Sequence, residues 1–407
     1  MTVDRVAAGF VGRSSEDGRA IRVEIEDGVV TALVPIDDDP AGTWISPGWT
    51  DLQINGYDGH DPNAAGNDPS VTMAMIRSMW PTGVSGAGVT IFTASESDML
   101  DNLRGVAAAC AGDPLVAAAV VGIHVEGPHI AREDGPRGAH PLRFVRPPDV
   151  AEYRRWQEAA GGRIRIITVS PEYEESVGYI RAIVADGVIA SIGHTAATGE
   201  QIAAAVDAGA SWCTHLGNGA HALIPRHPNY IWDQLAEDRL SAGFIFDGQH
   251  LPPAVMRSVL RIKGIERSVL VSDAVSIAGL PPGRYRFPDG AAVELKESGR
   301  LELAGTPYLA GAAAPLPVCL ANAVRHAGVT LSDAVRMVTA NPSRLLGLPV
   351  AAGRESIRVG VAANLTMYRR NEASGAVEVL RTILDGRVVY DAAHDAVPTA
   401  ASRPRSS

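Results

Sequence analysis

Residues 120–128 read VVGIHVEGP, an apolar run rich in β-branched residues that ends in His124, Glu126 and a Gly-Pro pair. A short run of this kind, bounded by polar and turn-forming residues, is typical of a buried strand. Seven further β-branched runs recur along the chain, at residues 44–54, 88–93, 163–169, 188–194, 210–215, 240–246 and 268–273. Most are separated by segments with helical spacing. The sequence therefore predicts eight β/α units and an α/β fold, a closed (β/α)8 TIM-type barrel rather than an open doubly wound sheet.

Two segments refine this prediction. Thr198 and Gln201 have the spacing of a capping box, and apolar residues recur behind them at helical spacing, so a helix is expected over 198–208. Residues 276–314 interrupt the alternation after the eighth run and contain the pair Asp289-Gly290. They predict an inserted hairpin followed by a Gly/Ala-rich loop.

Both chain ends carry hairpin patterns. Apolar and polar residues alternate over 21–26, the pair Asp27-Gly28 follows, and a second apolar run continues to residue 34. A similar unit surrounds Asp385-Gly386. Asp-Gly between alternating runs is a strong hairpin signal. Residues 1–45 and 350–395 are therefore predicted to form one small β-sandwich domain, residues 46–349 the barrel, and residues 396–407 a disordered tail.

Composition excludes several classes of function. The chain has 407 residues, with 46 acidic and 36 basic side chains and a net charge of −10, which argues against nucleic acid or anionic membranes as partners. The longest apolar run, residues 115–123, is too short to span a bilayer, and no export signal is recognised. The sequence contains neither GxGxxG nor GxxxxGK[ST], so no dinucleotide or P-loop site is expected. Three widely spaced cysteines support neither disulfides nor a thiolate zinc site. A cytoplasmic protein is expected, in which any metal is held by His and carboxylate.

Polar residues end four of the predicted strands. Glu126 ends the third, His194 the fifth, His215 the sixth and Asp273 the eighth. Because active sites of such barrels lie at the carboxyl ends of the strands, these side chains are expected to face one mouth. One Glu and two His suit Zn²⁺ or Fe²⁺ and leave a coordination position for water. Asp273 would then be free to accept a proton from that water.

Other readings of the histidines remain open. A single His at a strand end is more often a hydrogen-bonded structural residue than a ligand, and only the coincidence of four such strand ends favours a site. His124 could form a His-x-Glu metal pair, although a supporting position behind the ligands is preferred. Loop or solvated positions are preferred for His129, His221 and His227, with a substrate role as the alternative.

The motifs resemble those of the N-acetylglucosamine-6-phosphate deacetylases of the amidohydrolase superfamily across nearly the whole chain. The resemblance rests on eight stretches, namely PGWTDLQING at 47–56, HVEGP at 124–128, GHT at 193–195, THLGN at 214–218, FDGQH at 246–250, VSDA at 271–274, LAGT at 303–306 and NPSRLLG at 341–347. The resemblance implies a metal-dependent deacetylase with a (β/α)8 barrel and a small β domain built from both termini.

The resemblance also implies roles for individual residues. The family's metal ligands match Glu126, His194 and His215, and its catalytic carboxylate matches Asp273. Many amidohydrolases hold a second metal with two His on the first strand. Here Gln53 and Asn55 occupy the matching positions, so one divalent transition metal per chain is expected, with zinc preferred and iron as the alternative.

On the substrate side, the family's carbonyl-facing His matches His140. Its sugar-phosphate contacts match Asn218, the backbone of Gly219 and Ala220, Arg226 and His250. In this family the Arg is commonly supplied across a subunit interface, so the resemblance implies a homodimer. The alternative for Arg226 is a surface ion pair, and the alternative for His250 is a purely structural histidine.

The departures from the family pattern lie on the substrate side. The usual Asn-Ala-Met after the sixth strand is replaced here by Asn218-Gly219-Ala220-His221, and Arg226 is followed by His-Pro-Asn instead of Glu-Pro-Gly. A longer run over 306–315 replaces a usual Thr-Met pair. The sequence thus predicts hydrolysis of an N-acetyl amide, with N-acetylglucosamine 6-phosphate as the expected substrate. The alternatives are another N-acyl amino sugar, an N-acyl amino acid or a cyclic amide, and, in a different class, a barrel that serves only as a scaffold.

Overall fold

The structure is a computed structural model of the chain, and it describes residues 8–37, 42–64, 68–287, 290–306 and 309–394. The tail predicted over 396–407 lies outside the described residues, as does Asp289 of the predicted insertion turn. Eight parallel strands form a nearly closed barrel, and strands from both termini form a separate sheet. The predicted fold class is confirmed. Within the described ranges, no helix has both the length and the apolar character needed to cross a membrane.

Four strands precede the barrel: β1 (Ala8–Ser14), β2 (Ala20–Glu26), β3 (Val29–Pro35) and β4 (Trp44–Pro47). The N-terminal hairpin is confirmed, since β2 and β3 pair antiparallel around Asp27 and Gly28, whose φ values are 51° and 83°. The single strand predicted over 44–54 is wrong, because Gly48 divides it into β4 and the first barrel strand. A Cβ at Gly48 would collide with the Ser85 side chain, so only glycine fits where the chain enters the barrel.

The barrel strands follow one another in space in the order of the sequence. They are β5 (Trp49–Ile54), β6 (Val84–Phe92), β7 (Val120–Glu126), β8 (Ile164–Val169), β9 (Ile189–Ile192), β10 (Trp212–Cys213), β11 (Ser241–Phe244) and β12 (Ser268–Leu270). Most of their side chains are buried, as expected for strands with both faces covered. Three strands end earlier than predicted: His194 and His215 lie two positions beyond β9 and β10, and Asp273 lies three positions beyond β12.

The first and last barrel strands meet without a regular ladder, through a few individual hydrogen bonds. The backbone N–H of Asp273 donates to the Gln53 carbonyl over 2.9 Å, and the N–H of Asn55 donates to the Ala274 carbonyl over 2.8 Å. The buried carboxylate of Asp51 accepts the N–H of Ser272 at 3.1 Å. These bonds close the barrel and bring Gln53 and Asn55 next to Asp273.

Helices cover the outside of the barrel. They are α1 (Pro69–Met79), α2 (Glu96–Gly112), α3 (Pro114–Ala119), α4 (Val150–Ala159), α5 (Ser176–Ala185), α6 (Gly199–Asp207), α7 (Tyr230–Ala236), α8 (Pro253–Lys263), α9 (Leu316–Asn322), α10 (Leu331–Arg336) and α11 (Ala340–Leu345). The predicted capping box at α6 is confirmed, with Thr198 accepting from Gln201 N–H and the Gln201 side chain accepting from Thr198 N–H. The Asn229 side chain caps α7 by accepting from Ile231 and Trp232.

The insertion after the barrel is larger than the predicted hairpin. Three antiparallel strands form it: β13 (Gly283–Arg286), β14 (Ala292–Leu295) and β15 (Leu301–Leu303). The sequence prediction missed the second turn, where Gly299 at a φ of 80° lets the chain return from β14 to β15. Val293, Leu295 and Leu301 give this sheet a small core of its own.

The C-terminal strands complete the terminal sheet. They are β16 (Leu365–Arg370), β17 (Val377–Leu384) and β18 (Arg387–Asp391), and the seven-stranded order is β18-β17-β16-β4-β1-β2-β3. The second Asp-Gly hairpin is confirmed by the pairing of β17 with β18. The turn at Asp385-Gly386 contacts the turn at Asp27-Gly28, since a Cβ at Gly28 would lie 2.8 Å from the Asp385 carbonyl oxygen. The terminal sheet also has a separate hydrophobic core that includes Val23, Ile45 and Ile383.

Candidate active site

Three predicted ligands converge at the carboxyl end of the barrel. His194 Nε2 lies 3.1 Å and His215 Nε2 lies 3.0 Å from the same Glu126 oxygen, Oε1, and the two Nε2 atoms are 3.0 Å apart. All three residues are at most 7% exposed. Glu126, His140 and His194 also bring ligand atoms within 4.8 Å of one another, but the triad with His215 is much tighter. The three residues named by the sequence therefore form one compact donor set.

The protonation of His194 explains why this donor set suits a cation. Its Nδ1 lies 2.8 Å from the Pro136 carbonyl oxygen, which can only accept, so Nδ1 carries a proton. In the neutral ring, Nε2 then presents a lone pair to the Glu126 carboxylate. Tetrahedral coordination with metal–ligand bonds of about 2.0–2.1 Å requires donors about 3.3 Å apart, close to the separations observed. The residues present therefore fit a divalent transition metal.

Three site residues have left-handed backbone conformations. The φ values are 50° at His194, 29° at His215 and 51° at Asp273. Such values are uncommon outside glycine and persist where the surrounding structure enforces them, often at functional sites. Each residue lies just beyond its strand, where this conformation turns the chain at the barrel mouth. The prediction that these residues are the last of regular strands is wrong in this detail.

Gln53 and Asn55 have partners that sequence reasoning did not assign. The amide of Gln53 donates to Glu126 Oε1 over 2.9 Å, and the amide of Asn55 donates to Asp273 Oδ1 over 2.7 Å. Their spacing of two residues, with Gln53 on β5 and Asn55 directly after it, is the signal that could have revealed them, because residues two apart in extended chain project to the same side. Both amides hold a carboxylate by a hydrogen bond.

The carboxyl group of Asp273 is partly buried at the barrel mouth. Burial raises its pKa to about 8, and the nearby Glu126 carboxylate adds to the increase. A second buried carboxyl, Asp51, holds the neighbouring Ser272 N–H, and burial raises its pKa to about 7. Sequence reasoning missed Asp51. A divalent cation beside Asp273 would favour its ionised form and so lower its pKa.

His140 lies against His194, with ring centroids 4.4 Å apart in an edge-on arrangement. Its Nδ1 is 2.7 Å from the Thr93 hydroxyl. Burial lowers the pKa of His140 to about 3, so the ring is neutral near pH 7. His140 therefore lies directly beside the donor set.

The predicted substrate contacts are only partly assembled. The Asn218 side chain donates to the carbonyl of His215 over 3.3 Å. A Cβ at Gly219, whose φ is 55°, would lie 2.8 Å from His194 Nδ1, so a side chain here would crowd the ligand. Ala220 follows on the same loop and is half-buried. This loop therefore borders His194 and His215.

Arg226 and His250 lie apart from the triad. Arg226 is exposed, and within the described ranges its guanidinium makes no hydrogen bond or ion pair. The imidazole of His250 is largely buried, and its Nδ1 lies 2.7 Å from the Asp247 carboxylate. In this single chain neither residue hydrogen-bonds to a metal ligand.

The four other histidines considered in the sequence analysis differ in their surroundings. His124 is buried inside the barrel with Nε2 2.7 Å from the Thr168 hydroxyl, and His129 stacks on Trp156 at 5.2 Å. His221 contacts the hydroxyl of Tyr230, at the start of α7, at 2.9 Å and the Glu133 carboxylate at 3.3 Å. His227 is exposed on the loop that carries Arg226.

The geometry agrees with what known proteins indicate. A sequence model described as the amidohydrolase family matches residues 44–389. That range includes the four residues at the barrel mouth and most of the terminal sheet's C-terminal strands.

Individual relatives are more specific. The chain is 30% identical to the N-acetylglucosamine-6-phosphate deacetylase of Bacillus subtilis, over 86% of each chain. It is equally 30% identical to the N-acetylgalactosamine-6-phosphate deacetylase of Escherichia coli O157:H7, over 84% of this chain and 89% of the relative. Among solved structures, a mutant of the Mycobacterium smegmatis N-acetyl-D-glucosamine-6-phosphate deacetylase, an Asp-to-Ala variant in complex with N-acetyl-D-glucosamine 6-phosphate, superposes with a TM-score of 0.82. It is 28% identical and covers 94% of this chain and 99% of its own.

Proposed function

Because the chain belongs to the amidohydrolase family, we propose that it is a metal-dependent deacetylase that hydrolyses the N-acetyl amide of an amino-sugar phosphate. The first substrate proposed is N-acetylglucosamine 6-phosphate. The products are acetate and glucosamine 6-phosphate. The observation that carries the proposal is the convergence of Glu126, His194 and His215 beside the partly buried carboxyl of Asp273. A scaffold protein would have no use for this costly arrangement of buried polar groups.

Glu126, His194 and His215 would hold one divalent transition metal per chain, with zinc preferred over iron. When bound, such a metal supplies Lewis acidity and makes water a usable nucleophile near neutral pH. A second metal is not expected, since Gln53 points its NH2 group at Glu126 and Asn55 points its own at Asp273. An amide NH2 group donates hydrogen bonds and offers no lone pair to a metal.

Asp273 is the proposed general base and general acid. Asn55 holds its Oδ1, and within the described residues Oδ2 has no hydrogen-bond partner, so Oδ2 is free to take a proton from the attacking water. The same carboxyl then returns the proton to the leaving amine.

His140 is the proposed donor to the amide carbonyl. It is neutral and buried, and it lies edge-on to His194 at the barrel mouth. A preorganised N–H directed at the carbonyl oxygen stabilises the negative charge that develops as the tetrahedral intermediate forms.

The sugar phosphate is proposed to bind at Asn218, the backbone of Gly219 and Ala220, Arg226 and His250. The exposed guanidinium of Arg226, without a partner in the described part of this chain, supports a role across an interface with a second copy. We therefore infer a homodimer in which Arg226 reaches the partner's substrate. An Arg can bind phosphate through two parallel hydrogen bonds.

The sugar epimer is the point where a second candidate has specific support. The N-acetylgalactosamine-6-phosphate deacetylase relative is as similar in sequence as the N-acetylglucosamine-6-phosphate relative. The loop beginning at Asn218-Gly219-Ala220-His221 departs from the common pattern on the substrate side. N-acetylgalactosamine 6-phosphate is therefore the second substrate proposed.

A cytoplasmic location follows from this substrate class, since a charged sugar phosphate does not cross a bilayer unaided.

The test is a deacetylation assay on purified protein whose metal content is measured in parallel. Free amine is quantified with N-acetylglucosamine 6-phosphate, N-acetylgalactosamine 6-phosphate and the two unphosphorylated sugars. We expect metal-dependent amine release from a phosphorylated sugar and about one metal ion per chain. Protein that holds metal but releases amine from neither phosphorylated sugar would exclude the proposed substrate class, and two metals per chain would exclude the mononuclear site.

A further inference from the structure

Thr93 lies directly after β6, at the carboxyl end of the second barrel strand, and is 1% exposed. Its hydroxyl oxygen lies 2.7 Å from His140 Nδ1. The sequence motifs assign no role to this threonine. The contact is fully buried and has the length of a strong hydrogen bond.

The hydroxyl of Thr93 has one proton and two candidate acceptors. His140 Nδ1 lies at 2.7 Å, whereas the backbone carbonyl oxygen of Glu126 lies at 3.5 Å, the outer limit for a hydrogen bond. The proton therefore goes to Nδ1, and the neutral imidazole must carry its own proton on Nε2. If the hydroxyl instead donated to Glu126, the proton of His140 would sit on Nδ1 and Nε2 would present only a lone pair.

The residues around Thr93 and His140 keep the hydroxyl and the imidazole in contact. Gly127 has a φ of 75°, and a Cβ at this position would collide with the Thr93 hydroxyl. The ring of Phe92 packs edge-on against His140 with centroids 6.0 Å apart. Within the described residues, Nε2 of His140 has no hydrogen-bond partner, so it remains available to a substrate. Both the direction of the ring and its tautomer are thus set from the Nδ1 side.

We propose that Thr93 is a positioning residue that donates its hydroxyl proton to His140 Nδ1 and thereby keeps Nε2 protonated toward the substrate carbonyl. This inference rests on the proposed deacetylase function, because the carbonyl is that of the N-acetyl group. A neutral histidine with the opposite tautomer would direct a lone pair at an oxygen that is gaining negative charge. Catalysis by His140 therefore depends on Thr93, although Thr93 itself does not touch the substrate.

The test compares Thr93→Val, which has nearly the same shape without the hydroxyl, with Thr93→Ser, which keeps the hydroxyl. Loss of one preorganised donor costs about 10²- to 10³-fold in kcat, and an unheld imidazole still samples the correct tautomer, so we expect Thr93→Val to lower kcat by roughly 10- to 100-fold. KM should change much less, because the charge develops only in the transition state. Thr93→Ser should retain most of the activity. Thr382→Val is the matched control, since it removes a buried threonine hydrogen bond to the Trp80 carbonyl in the terminal sheet.

Two further measurements separate this role from a purely structural one. In a His140→Gln background, Thr93→Val should cause no additional loss of kcat, because the two residues act as one unit. In zinc-loaded protein with ¹⁵N-labelled histidine, the His140 signals, identified by their absence in His140→Gln, should be those of a ring protonated on Nε2.

Protonation on Nδ1 in the native protein would overturn the proposal, as would equal losses in Thr93→Val and Thr93→Ser, or a kcat of Thr93→Val close to that of the native protein. If Thr93→Val does not fold, the tautomer of His140 measured in the native protein still tests the proposal. Absence of deacetylase activity in the native protein would refute the proposed function, whereas the tautomer assignment would still be tested.

Discussion

Replacement of Asp273 by Asn is the most direct test of the proposed chemistry. Asn55 donates its amide to Asp273 Oδ1 over 2.7 Å, so the new side chain must turn its oxygen toward Asn55. Its NH2 group then occupies the place of Oδ2, where it can donate a hydrogen bond but cannot accept a proton. The nearly identical shape should preserve the backbone bond from residue 273 to Gln53 and leave the metal ligands in place.

The size of the loss follows from the two roles assigned to the residue. General acid or base catalysis contributes about 10²- to 10⁴-fold. Asp273 serves in two steps, but only the slower one limits turnover, so the loss should match one contribution rather than their product. We expect kcat to fall by about 10²- to 10⁴-fold, or roughly 2.7 to 5.4 kcal/mol in the activation barrier.

The assay measures amine release from N-acetylglucosamine 6-phosphate, with metal content determined on the same preparation. Asp61→Asn is the matched control, because Asp61 is also a partly buried carboxyl group but accepts hydrogen bonds from Asn63 N–H and the Ser276 hydroxyl instead of facing the metal ligands. It should retain activity close to that of the native protein. A metal-loaded Asp273→Asn variant with more than about a tenth of native turnover would refute the assignment, since the lower limit for such catalysis is about 10².

Three further predictions concern the metal, the phosphate and pH. His215→Ala should lose most of the bound metal together with activity, and full metal content by elemental analysis would show that His215 is not a ligand. Arg226→Ala should raise KM about 10- to 150-fold for the phosphorylated sugar and little for the unphosphorylated one, whereas equal effects on both would make Arg226 structural. Mixing Arg226→Ala with Asp273→Asn protein should restore part of the activity if Arg226 acts across a dimer. In metal-free protein, burial raises the pKa of Asp273 from 3.8 to about 8. The free energy of unfolding that this carboxyl contributes is therefore full below pH 3.8 and decreases as pH rises toward 8, because the folded state retains the proton that the unfolded state loses. Between pH 4 and pH 8, roughly, the melting temperature of metal-free native protein should therefore fall relative to that of metal-free Asp273→Asn. A difference in melting temperature that does not change with pH would contradict the raised pKa.

The sequence by itself determined the fold class and the identity of the donor set. β-Branched runs alternating with helical spacing are local patterns, so they predicted a barrel, and the Asp-Gly pairs predicted both terminal hairpins. Glu126, His194, His215 and Asp273 could be placed at one mouth because the ends of parallel strands in a barrel share one face. Each of these inferences needs only residues that are close together in the sequence, or a rule of topology.

The tertiary structure alone decided how those side chains are held. Asn55 and Asp273 are 218 residues apart, Gln53 and Glu126 are 73 apart, and Thr93 and His140 are 47 apart, so no local pattern indicates these hydrogen bonds. The left-handed conformations of the three residues at the barrel mouth are likewise imposed by packing, against the preference of non-glycine residues. Sequence periodicity reports which face a side chain occupies, whereas a hydrogen bond depends on distances of a few tenths of an ångström, which only the closed barrel fixes.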